Sequence, residues 1–401
     1  MLNKLKETVL SRIRSRAEAA REEFSPTALP SDPVSLREAQ FVDFARVSTM
    51  TRRLGQGPDS LENWERLWRD NPALQEGREP RIGWLLESND AVVGFLGSIP
   101  LQYSFDGTKL AAAATCRLAV EPAFRSSTPL LVTSFFRQKD VDLFLNTTAT
   151  PAAGKIVAAL RALPVPQPEY GKVLFWVLRP RKFVAAVLNR AGFSPTLSRL
   201  GGSAAGVALP GDIVVRGRRP RGSAGNYLVR DVDFRDIGQD FEVLWKEQEG
   251  RSLRLFAKRS PEIMRWHFQP PGTVRVAKVL ACYESERLVG YTIVRHEAPA
   301  KEGLQRSMIA DLLVSNDAAA IVDSLFAAAY RSSQAAGSDV LEVMGFPEKI
   351  RASFSKWKPY SRNYPACPFY FKARDRQLQE KLAGAEAWYA CPFDGDATLW
   401  P

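Results

Sequence analysis

A short loop between two apolar segments has the composition of an anion-binding turn. Residues 118–131 run Leu-Ala-Val-Glu-Pro-Ala-Phe-Arg-Ser-Ser-Thr-Pro-Leu-Leu, which predicts a strand that stops at Pro122, a polar loop, and a helix from about Thr128. Small residues at such a junction let main-chain N–H groups and the positive end of the helix surround an anion. Arg125 adds a formal charge beside them. The alternative is an ordinary helix start, because Ser and Thr cap many helices.

Other residue types that carry chemistry are scarce. The chain contains two histidines, His267 and His296, which leaves histidine-based metal sites and Ser or Cys triads poorly supplied. Its four cysteines lie far apart and form no C-x-x-C pair: Cys116, Cys282, Cys367 and Cys391. Neither a zinc cluster nor a disulfide framework is therefore indicated. The Asp394-Gly395-Asp396 motif lacks the further spaced oxygen ligands of a calcium loop, so an aromatic-anchored turn is favoured there and no metal is expected.

Length and composition indicate a folded protein with more than one domain. A chain of 401 residues exceeds the size at which one core keeps growing, and 45% hydrophobic residues are enough to build cores. No apolar run approaches the roughly 18 residues of a spanning helix, and no signal-peptide core is visible, so we expect a cytoplasmic protein. The net charge of +11 favours an anionic partner, such as a nucleotide-containing cofactor, a membrane surface or nucleic acid.

Two segments concentrate the positive charge. Residues 1–24 place Leu2, Leu5, Val9 and Ile13 at helical spacing among basic residues. Such a helix either rests on an anionic membrane surface or docks its apolar stripe on the protein. A second basic cluster at 216–221 lies among Gly and Pro and predicts a linker or an exposed loop.

The elements predicted on either side of the loop occur twice in the same order. The first series is a helix at 61–70, strands at 82–86, 91–99, 102–105, 109–114 and 116–120, a helix at 128–139, a strand at 141–145, a helix at 151–163 and a strand at 173–178. The second has a helix at 261–268, strands at 274–283, 288–296 and 308–314, a helix at 317–336, a strand at 340–344, a helix at 347–357 and a strand at 369–372. Matching features such as Trp68 and Trp266, or Gly94 and Gly290, are separated by about 195 positions, which indicates an internal duplication.

This order of elements resembles the GNAT superfamily of acyl-CoA-dependent N-acyltransferases. The family commonly ends the strand before its cofactor loop with V-x-P-x-x-R, which Val120, Pro122 and Arg125 match. The family's loop glycines are replaced by Ser126, Ser127, Thr128 and Pro129. The resemblance implies a mixed α/β fold class: two tandem GNAT-like domains, each with a mixed, largely antiparallel sheet flanked by helices.

The resemblance also implies site residues. Main-chain N–H groups of the loop would hold the pyrophosphate of coenzyme A, and the expected cofactor contacts are Leu118, Val120, Arg125, Ser126, Ser127 and Thr128. Three residues are candidates for catalysis, each with a plainer alternative. Glu121 is a possible base or an exposed turn residue, Asn146 lies near the thioester or caps a helix, and Tyr170 approaches the cofactor thiol or packs in the core. The equivalent loop of the second copy, Ser315-Asn316-Asp317, has no Arg and carries an acid, so we expect no coenzyme A there.

These observations predict five segments and one leading function. The segments are a basic helix and connector at 1–35, a domain with the cofactor loop at 36–205, a basic linker at 206–227, a second domain at 228–375 and a tail at 376–401. The leading function is transfer of an acyl group from acetyl-CoA or a longer acyl-CoA to an amine acceptor, a small molecule, glycan or peptide, near the interdomain cleft. The alternatives are a Fem-like transferase that uses aminoacyl-tRNA and a non-catalytic binding protein with the same fold.

Overall fold

The structure is a computed structural model that describes residues 33–56, 59–74, 80–194, 196–203, 217–220, 227–251, 253–270, 276–297, 303–364 and 368–400. The predicted basic helix at 1–24 and most of the predicted linker at 206–227 lie outside these residues. In the described part, no helix is both long enough and apolar enough to span a membrane.

Fifteen strands of the described chain form two mixed sheets. They are β1 (Ser35–Glu38), β2 (Gly83–Ser88), β3 (Ala91–Phe105), β4 (Thr108–Val120), β5 (Leu143–Asn146), β6 (Leu163–Pro164), β7 (Lys172–Val177), β8 (Tyr227–Val232), β9 (Phe256–Ala257), β10 (Val276–Glu284), β11 (Arg287–His296), β12 (Arg306–Val314), β13 (Val340–Val343), β14 (Tyr360–Asn363) and β15 (Tyr370–Ala373).

Helices lie between the strands of both sheets. Those used below are α1 (Phe44–Arg53), α2 (Leu61–Trp68), α3 (Thr128–Phe136), α4 (Pro151–Ala159), α5 (Pro180–Arg190), α6 (Gln239–Arg251), α7 (Pro261–Phe268), α8 (Ala319–Ala335), α9 (Glu348–Ser355) and α10 (Arg376–Lys381). Local sequence explains several boundaries. Ser60 and Thr150 accept hydrogen bonds from the N–H groups of Asn63 and Ala153 and so begin α2 and α4.

The two sheets repeat one strand order. The first runs β1-β2-β3-β4-β5-β15-β6, with β9 also paired to β3, and the second runs β8-β10-β11-β12-β13-β7-β14 when taken in the matching direction. In each sheet one neighbouring pair is parallel, β4 with β5 and β12 with β13. The predicted fold class of two mixed, largely antiparallel sheets flanked by helices is confirmed.

Strands also cross between the two halves of the chain: the short β9 pairs with β3 of the first sheet, and β7 and β15 change sheets. The first predicted unit contains β7, yet β7 pairs with β13 and β14 in the second sheet. The second predicted unit contains β15, yet β15 pairs with β5 and β6 in the first sheet. Each sheet is therefore completed by a strand from the other half of the chain.

Some predicted boundaries differ from the structure. The sequence predicts breaks near Pro100 and Thr115, but β3 and β4 run through both positions as one long hairpin, because their cross-strand pairing continues past the local break signals. The hairpin turns at Asp106-Gly107, where both residues have positive φ, as the sequence predicts. Helices α3 and α4 end at Phe136 and Ala159, earlier than expected.

The two halves share a continuous core. Tyr103, Ala112 and Leu143 of the first sheet belong to the same buried cluster as Trp245 and Phe326 of the second half. On the first sheet, Trp64 and Trp68 of α2 pack against Phe95 and Ile99 in a second cluster. The C-terminal segment, residues 388–400, contributes to both clusters: Trp388, Tyr389 and Phe393 belong to the first, and Leu399 belongs to the second.

Candidate functional site

The two parallel strands of the first sheet separate and leave a cavity between them. Strands β4 and β5 pair from Ala112 to Ala114 and from Leu143 to Leu145; β4 then continues to Val120, whereas β5 ends at Asn146. We call this opening the first gap. It holds a cavity of about 350 Å³, lined by Gln56, Thr115, Cys116, Arg117, Leu118, Asn146, Thr148, Ala149, Thr150, Ala153, Asp396 and Trp400.

The cavity has a buried inner end and an open mouth. Thr115, Cys116, Asn146 and Asp396 are all buried and form the inner end. Half-buried and exposed residues form the mouth: Gln56, Arg117, Leu118, Thr148, Thr150 and Trp400. A ligand of this cavity therefore presents one end to solvent and one end to polar side chains.

Two polar side chains at the inner end have unused hydrogen-bonding capacity. Within the described part of the chain, neither the Thr115 hydroxyl nor the Asn146 side-chain amide makes a hydrogen bond to another residue. Both residues line the cavity, so these groups are available there to water or to a ligand.

A bulge in β4 forms one wall of the cavity. Gly97 pairs with Cys116 and Phe95 pairs with Ala119, so Arg117 and Leu118 together lie opposite the single residue Leu96. Arg117 has a φ of 47°, which bends the strand. A bulge withdraws main-chain groups from the regular ladder. The Leu118 carbonyl accepts a hydrogen bond from Gln56 Nε2 at 3.3 Å, and both Arg117 and Leu118 line the cavity.

Asp396 brings a carboxylate to the inner end of the cavity. Its Oδ1 accepts hydrogen bonds from Thr147 Oγ1 at 2.7 Å and from Thr148 Oγ1 at 3.0 Å. Trp400 Nε1 donates to Oδ2 at 3.3 Å. Burial raises the pKa of this carboxyl above its ordinary value, and the threonine and tryptophan donors oppose that rise. A buried carboxylate of raised pKa is a suitable acceptor of a proton.

Buried cations hold the C-terminal segment in place. Arg66 donates to the Leu399 carbonyl at 2.7 Å, and Arg295 donates to the carbonyls of Thr398 at 2.9 Å and Trp400 at 3.1 Å. These bonds satisfy main-chain oxygens that would otherwise be buried without partners. Asp396 is therefore fixed relative to both halves of the molecule.

The equivalent opening in the second sheet is filled by protein. Strands β12 and β13 pair as far as Ile309 and Val343, after which β12 continues to Val314. Tyr389 Oη donates to the Leu312 carbonyl at 2.6 Å in this second gap, and the Phe346 N–H donates to the Ala390 carbonyl at 2.7 Å. The C-terminal segment thus fills the second gap before it lines the first.

A buried ion pair closes the second gap from the other side. Arg259 and Asp311 are fully buried and share hydrogen bonds of 3.0 to 3.1 Å, and Tyr291 Oη donates to Asp311 at 2.9 Å. Cζ of Arg259 lies 4.7 Å from the centre of the Phe393 ring. The two charges compensate each other, and the side chains around them, Tyr291 and Phe393, are also buried.

A larger cavity lies at the opposite end of β4. It measures about 510 Å³, and its lining includes Arg81, Gln102, Asp140 and Lys258. Arg81 pairs with Asp140 at 3.0 Å, and Lys258 donates to Gln102 at 2.9 Å. These charged and polar side chains already bond to one another. We therefore favour the smaller cavity as the functional site, since it contains polar side chains without protein partners in the described chain and a buried carboxylate.

The structure brings some of the predicted site residues together and leaves others apart. Leu118 and Asn146 line the first-gap cavity. Glu121 forms an ion pair with Arg53 at 2.6 Å at the surface and does not line it. Tyr170 packs in the shared core, where its ring lies 5.4 Å from that of Phe369, and it also lies outside the cavity lining.

The predicted cofactor loop adopts a tight turn. A 3-10 helix covers Pro122–Ser127 and leads directly into α3. The Thr128 hydroxyl and N–H both bond to the Arg125 carbonyl, so these two groups are used within the turn. Val120 pairs with Gly94 in the sheet. Arg125 and Ser126 are exposed and Ser127 is half-buried, which leaves these three side chains accessible to an anion.

Sequence reasoning missed most of the cavity. Asp396, Thr115, Gln56 and Trp400 were not among the predicted site residues. The Asp-Gly-Asp motif was the available signal: Gly395 has a φ of 64°, and a Cβ at this position would overlap Thr147. That close approach is what brings Asp396 against Thr147.

Several solved structures of N-acyltransferases have a similar fold. An N-myristoyltransferase of Saccharomyces cerevisiae with bound myristoyl-CoA matches with a TM-score of 0.55 and 13% identity over 87% of this chain and 80% of that one. A GCN5-related N-acetyltransferase from Anabaena variabilis matches with a TM-score of 0.53 and 10% identity over 86% of this chain and 73% of that one. A probable N-acyltransferase from Enterococcus faecalis matches with a TM-score of 0.53 and 10% identity over 85% and 73%. No family model and no curated protein matches this sequence.

Proposed function

We propose that this chain, whose fold is that of the GNAT superfamily, transfers an acyl group from coenzyme A to an amine. One observation carries the proposal: the first gap holds a cavity that ends at the buried carboxylate of Asp396. The similar structures are those of an N-acetyltransferase and an N-myristoyltransferase.

The cavity has the groups that amide formation from a thioester requires. A neutral amine attacks the thioester carbon, the new C–N bond forms, the C–S bond breaks, and coenzyme A leaves as a thiolate. Asp396 accepts the proton released from the nitrogen. The main-chain N–H groups of the β4 bulge, at 117–118, stabilise the negative charge that develops on the carbonyl oxygen.

The polar lining fits the pantetheine arm of coenzyme A. The Thr115 hydroxyl and the Asn146 amide, which line the cavity, would bond to its amide groups. At the surface, the side chains of Arg125, Ser126 and Ser127 would contact the phosphates. Leu118 would cover the arm at the mouth of the cavity.

Binding and turnover by the full chain test this function. We expect coenzyme A to bind at one site per chain in isothermal titration calorimetry, because the second gap is filled. We also expect an acyl-CoA to release free thiol when a panel of amines is added. Ala153→Trp fills the cavity and should abolish binding, whereas Ala152→Trp, at the exposed neighbouring position of α4, should not.

The same measurements identify the alternatives. Binding of coenzyme A without thiol release for any amine would support a non-catalytic protein with this fold. No binding of any coenzyme A ester by the folded wild-type chain would refute the proposal.

A further inference from the structure

The larger cavity, of about 510 Å³, lies between the two halves of the molecule. The first half supplies most of its lining, from β3, from β4 and from the loop between α3 and β5. The second half supplies Glu249 of α6 and Lys258, which follows β9. This cavity shares no lining residue with the first-gap cavity. A ligand of the larger cavity would therefore contact both halves without entering the first gap.

Two charged side chains of this lining are free to bind a ligand. Arg81 and Asp140 already form an ion pair of 3.0 Å. In the part of the chain that the structure describes, neither the half-buried Glu249 carboxylate nor the exposed Lys109 ammonium group makes a hydrogen bond or an ion pair. The cavity thus offers one available group of each sign.

Two further charges of the lining bond only to neutral groups among the described residues. Lys258 Nζ donates to the side-chain oxygen of Gln102 at 2.9 Å. Asp142 Oδ2 accepts from the Ala111 N–H at 2.9 Å. Two cations and two carboxylates of the lining therefore have no oppositely charged partner in the described chain. A ligand with a single charge would be attracted by one pair and repelled by the other, whereas a ligand with both charges can match both.

The rest of the lining and the volume limit the size of such a ligand. Several of the remaining side chains are aliphatic, including Leu74, Pro100, Leu101, Ala111 and Ala113. They suit a small apolar side chain of the ligand. At about 30 Å³ for each water-sized group, a volume of about 510 Å³ holds roughly 17 non-hydrogen atoms. An amino acid or a dipeptide has this size.

We infer that the larger cavity binds a zwitterionic amino acid or dipeptide, with its ammonium group at Glu249 and its carboxylate at Lys109 and Lys258. The site is separate from the first gap, so this inference goes beyond the proposed function and does not depend on coenzyme A. Because the ligand contacts both halves of the folded chain, its binding stabilises the fold.

Isothermal titration calorimetry on the full chain tests the inference with alanyl-leucine and leucine as probes. We expect alanyl-leucine to bind at one site per chain. N-acetyl-alanyl-leucine lacks the ammonium group and alanyl-leucine amide lacks the carboxylate, so each should bind at least about 10-fold more weakly. Equal binding of the capped forms, or no binding of either probe at millimolar concentration, would overturn the inference.

A variant of the first gap separates this inference from the proposed function. Ala153→Trp, which fills the first-gap cavity, should bind alanyl-leucine as the wild type does. Loss of alanyl-leucine binding in the folded variant would place the dipeptide in the first gap and overturn the inference. A chain that binds alanyl-leucine and no coenzyme A ester would refute only the proposed function.

Charge-removing variants test the two assigned ends of the ligand. Glu249→Gln and Lys109→Gln should each weaken alanyl-leucine binding by at least about 10-fold. Glu247→Gln and Lys246→Gln remove charges from the same helix, α6, outside the cavity lining, and should retain the affinity. Thermal melts establish that all four variants are folded. Unchanged affinity in folded Glu249→Gln and Lys109→Gln would contradict the assignment.

Discussion

Thr147 Oγ1 donates a 2.7 Å hydrogen bond to Asp396 Oδ1, although the two residues are 249 positions apart. Thr147 follows the end of β5, where the first gap opens. The bond therefore joins the C-terminal segment to the sheet at the point where the parallel strands separate. It places a buried carboxylate in a cavity that the first sheet alone would leave open.

The turn at Gly395 is a test of this connection. Gly395→Ala introduces a Cβ that overlaps Thr147 at a φ of 64°, so we expect a loss of at least about 2 kcal/mol of stability and a clear loss of activity. Gly107→Ala has a similar φ of 71° with nothing within 4 Å, and should cost about 1 kcal/mol without affecting activity. Urea denaturation compares the two variants. Equal costs would show that the contact with Thr147 is unimportant.

Asp396→Asn tests the proposed proton acceptor. We expect the rate of acyl transfer to fall by about 100-fold or more, with the affinity for coenzyme A unchanged. Because burial raises the pKa of Asp396, the wild-type rate should fall on acidification at a higher pH than an exposed aspartate would give. Asp394→Asn, a buried neighbour outside the cavity lining, is the control and should retain its rate. An active Asp396→Asn variant would place the proton acceptor elsewhere.

Arg125→Ala tests the predicted phosphate contact. Loss of one charged hydrogen-bond donor should weaken coenzyme A binding by about 10-fold. Binding of pantetheine, which lacks the phosphates, should not change. Arg137→Ala removes an exposed arginine at the other end of α3 and serves as the control. If both ligands lose affinity equally, Arg125 acts through the loop structure and not through the phosphates.

The buried pair of Arg259 and Asp311 should dominate the stability of the second gap. Arg259→Met leaves the Asp311 carboxylate buried without its partner and should cost about 3 to 5 kcal/mol. The double variant Arg259→Met with Asp311→Leu removes both charges and should recover much of that loss. Breaking the exposed pair of Arg376 and Glu380 by Arg376→Met should cost less than about 1 kcal/mol. Chemical denaturation gives the free energy of unfolding of the three variants. A double variant no more stable than Arg259→Met would contradict the prediction that the unpaired Asp311 carboxylate causes the loss.

Asp394 should make the stability depend on pH. Burial raises its pKa from 3.8 to about 6, although Tyr103 Oη and the Cys391 N–H donate to its carboxylate. The folded state therefore favours the neutral acid more than the unfolded chain does. The contribution of the neutral Asp394 side chain to the free energy of unfolding is fully present below about pH 4 and is lost as the pH rises to about 6. This loss amounts to up to about 3 kcal/mol.

Comparison with Asp394→Asn isolates this effect. The difference in unfolding free energy between wild type and the variant should change between pH 4 and pH 6 and stay constant above that range. Asp236→Asn, at an exposed position, should follow the wild type throughout. A constant difference across the whole range would show that Asp394 does not titrate as expected.

Local sequence patterns were sufficient to predict the repeated elements and part of the site. The turn at Asp106-Gly107 needs residues that tolerate positive φ, and α7 begins at Pro261, where a helix accepts proline. Leu118 and Asn146, which the resemblance to the GNAT superfamily indicated as site residues, line the cavity near the ends of the two parallel strands. Helices α1, α5, α6 and α10 and strands β1, β6, β8, β9 and β14 were not predicted.

The tertiary structure alone revealed three further features. The exchange of β7 and β15 depends on pairing between strands from opposite halves, and local patterns carry no information about a strand's partner. The filling of the second gap by Tyr389 and the arrival of Asp396 in the first depend on how the C-terminal segment packs between both sheets. Sequence periodicity therefore predicts the longer strands of the repeat and the loop at 118–128. Long-range packing determines which gap stays open and which carboxylate lies in it, because those contacts join residues far apart in the chain.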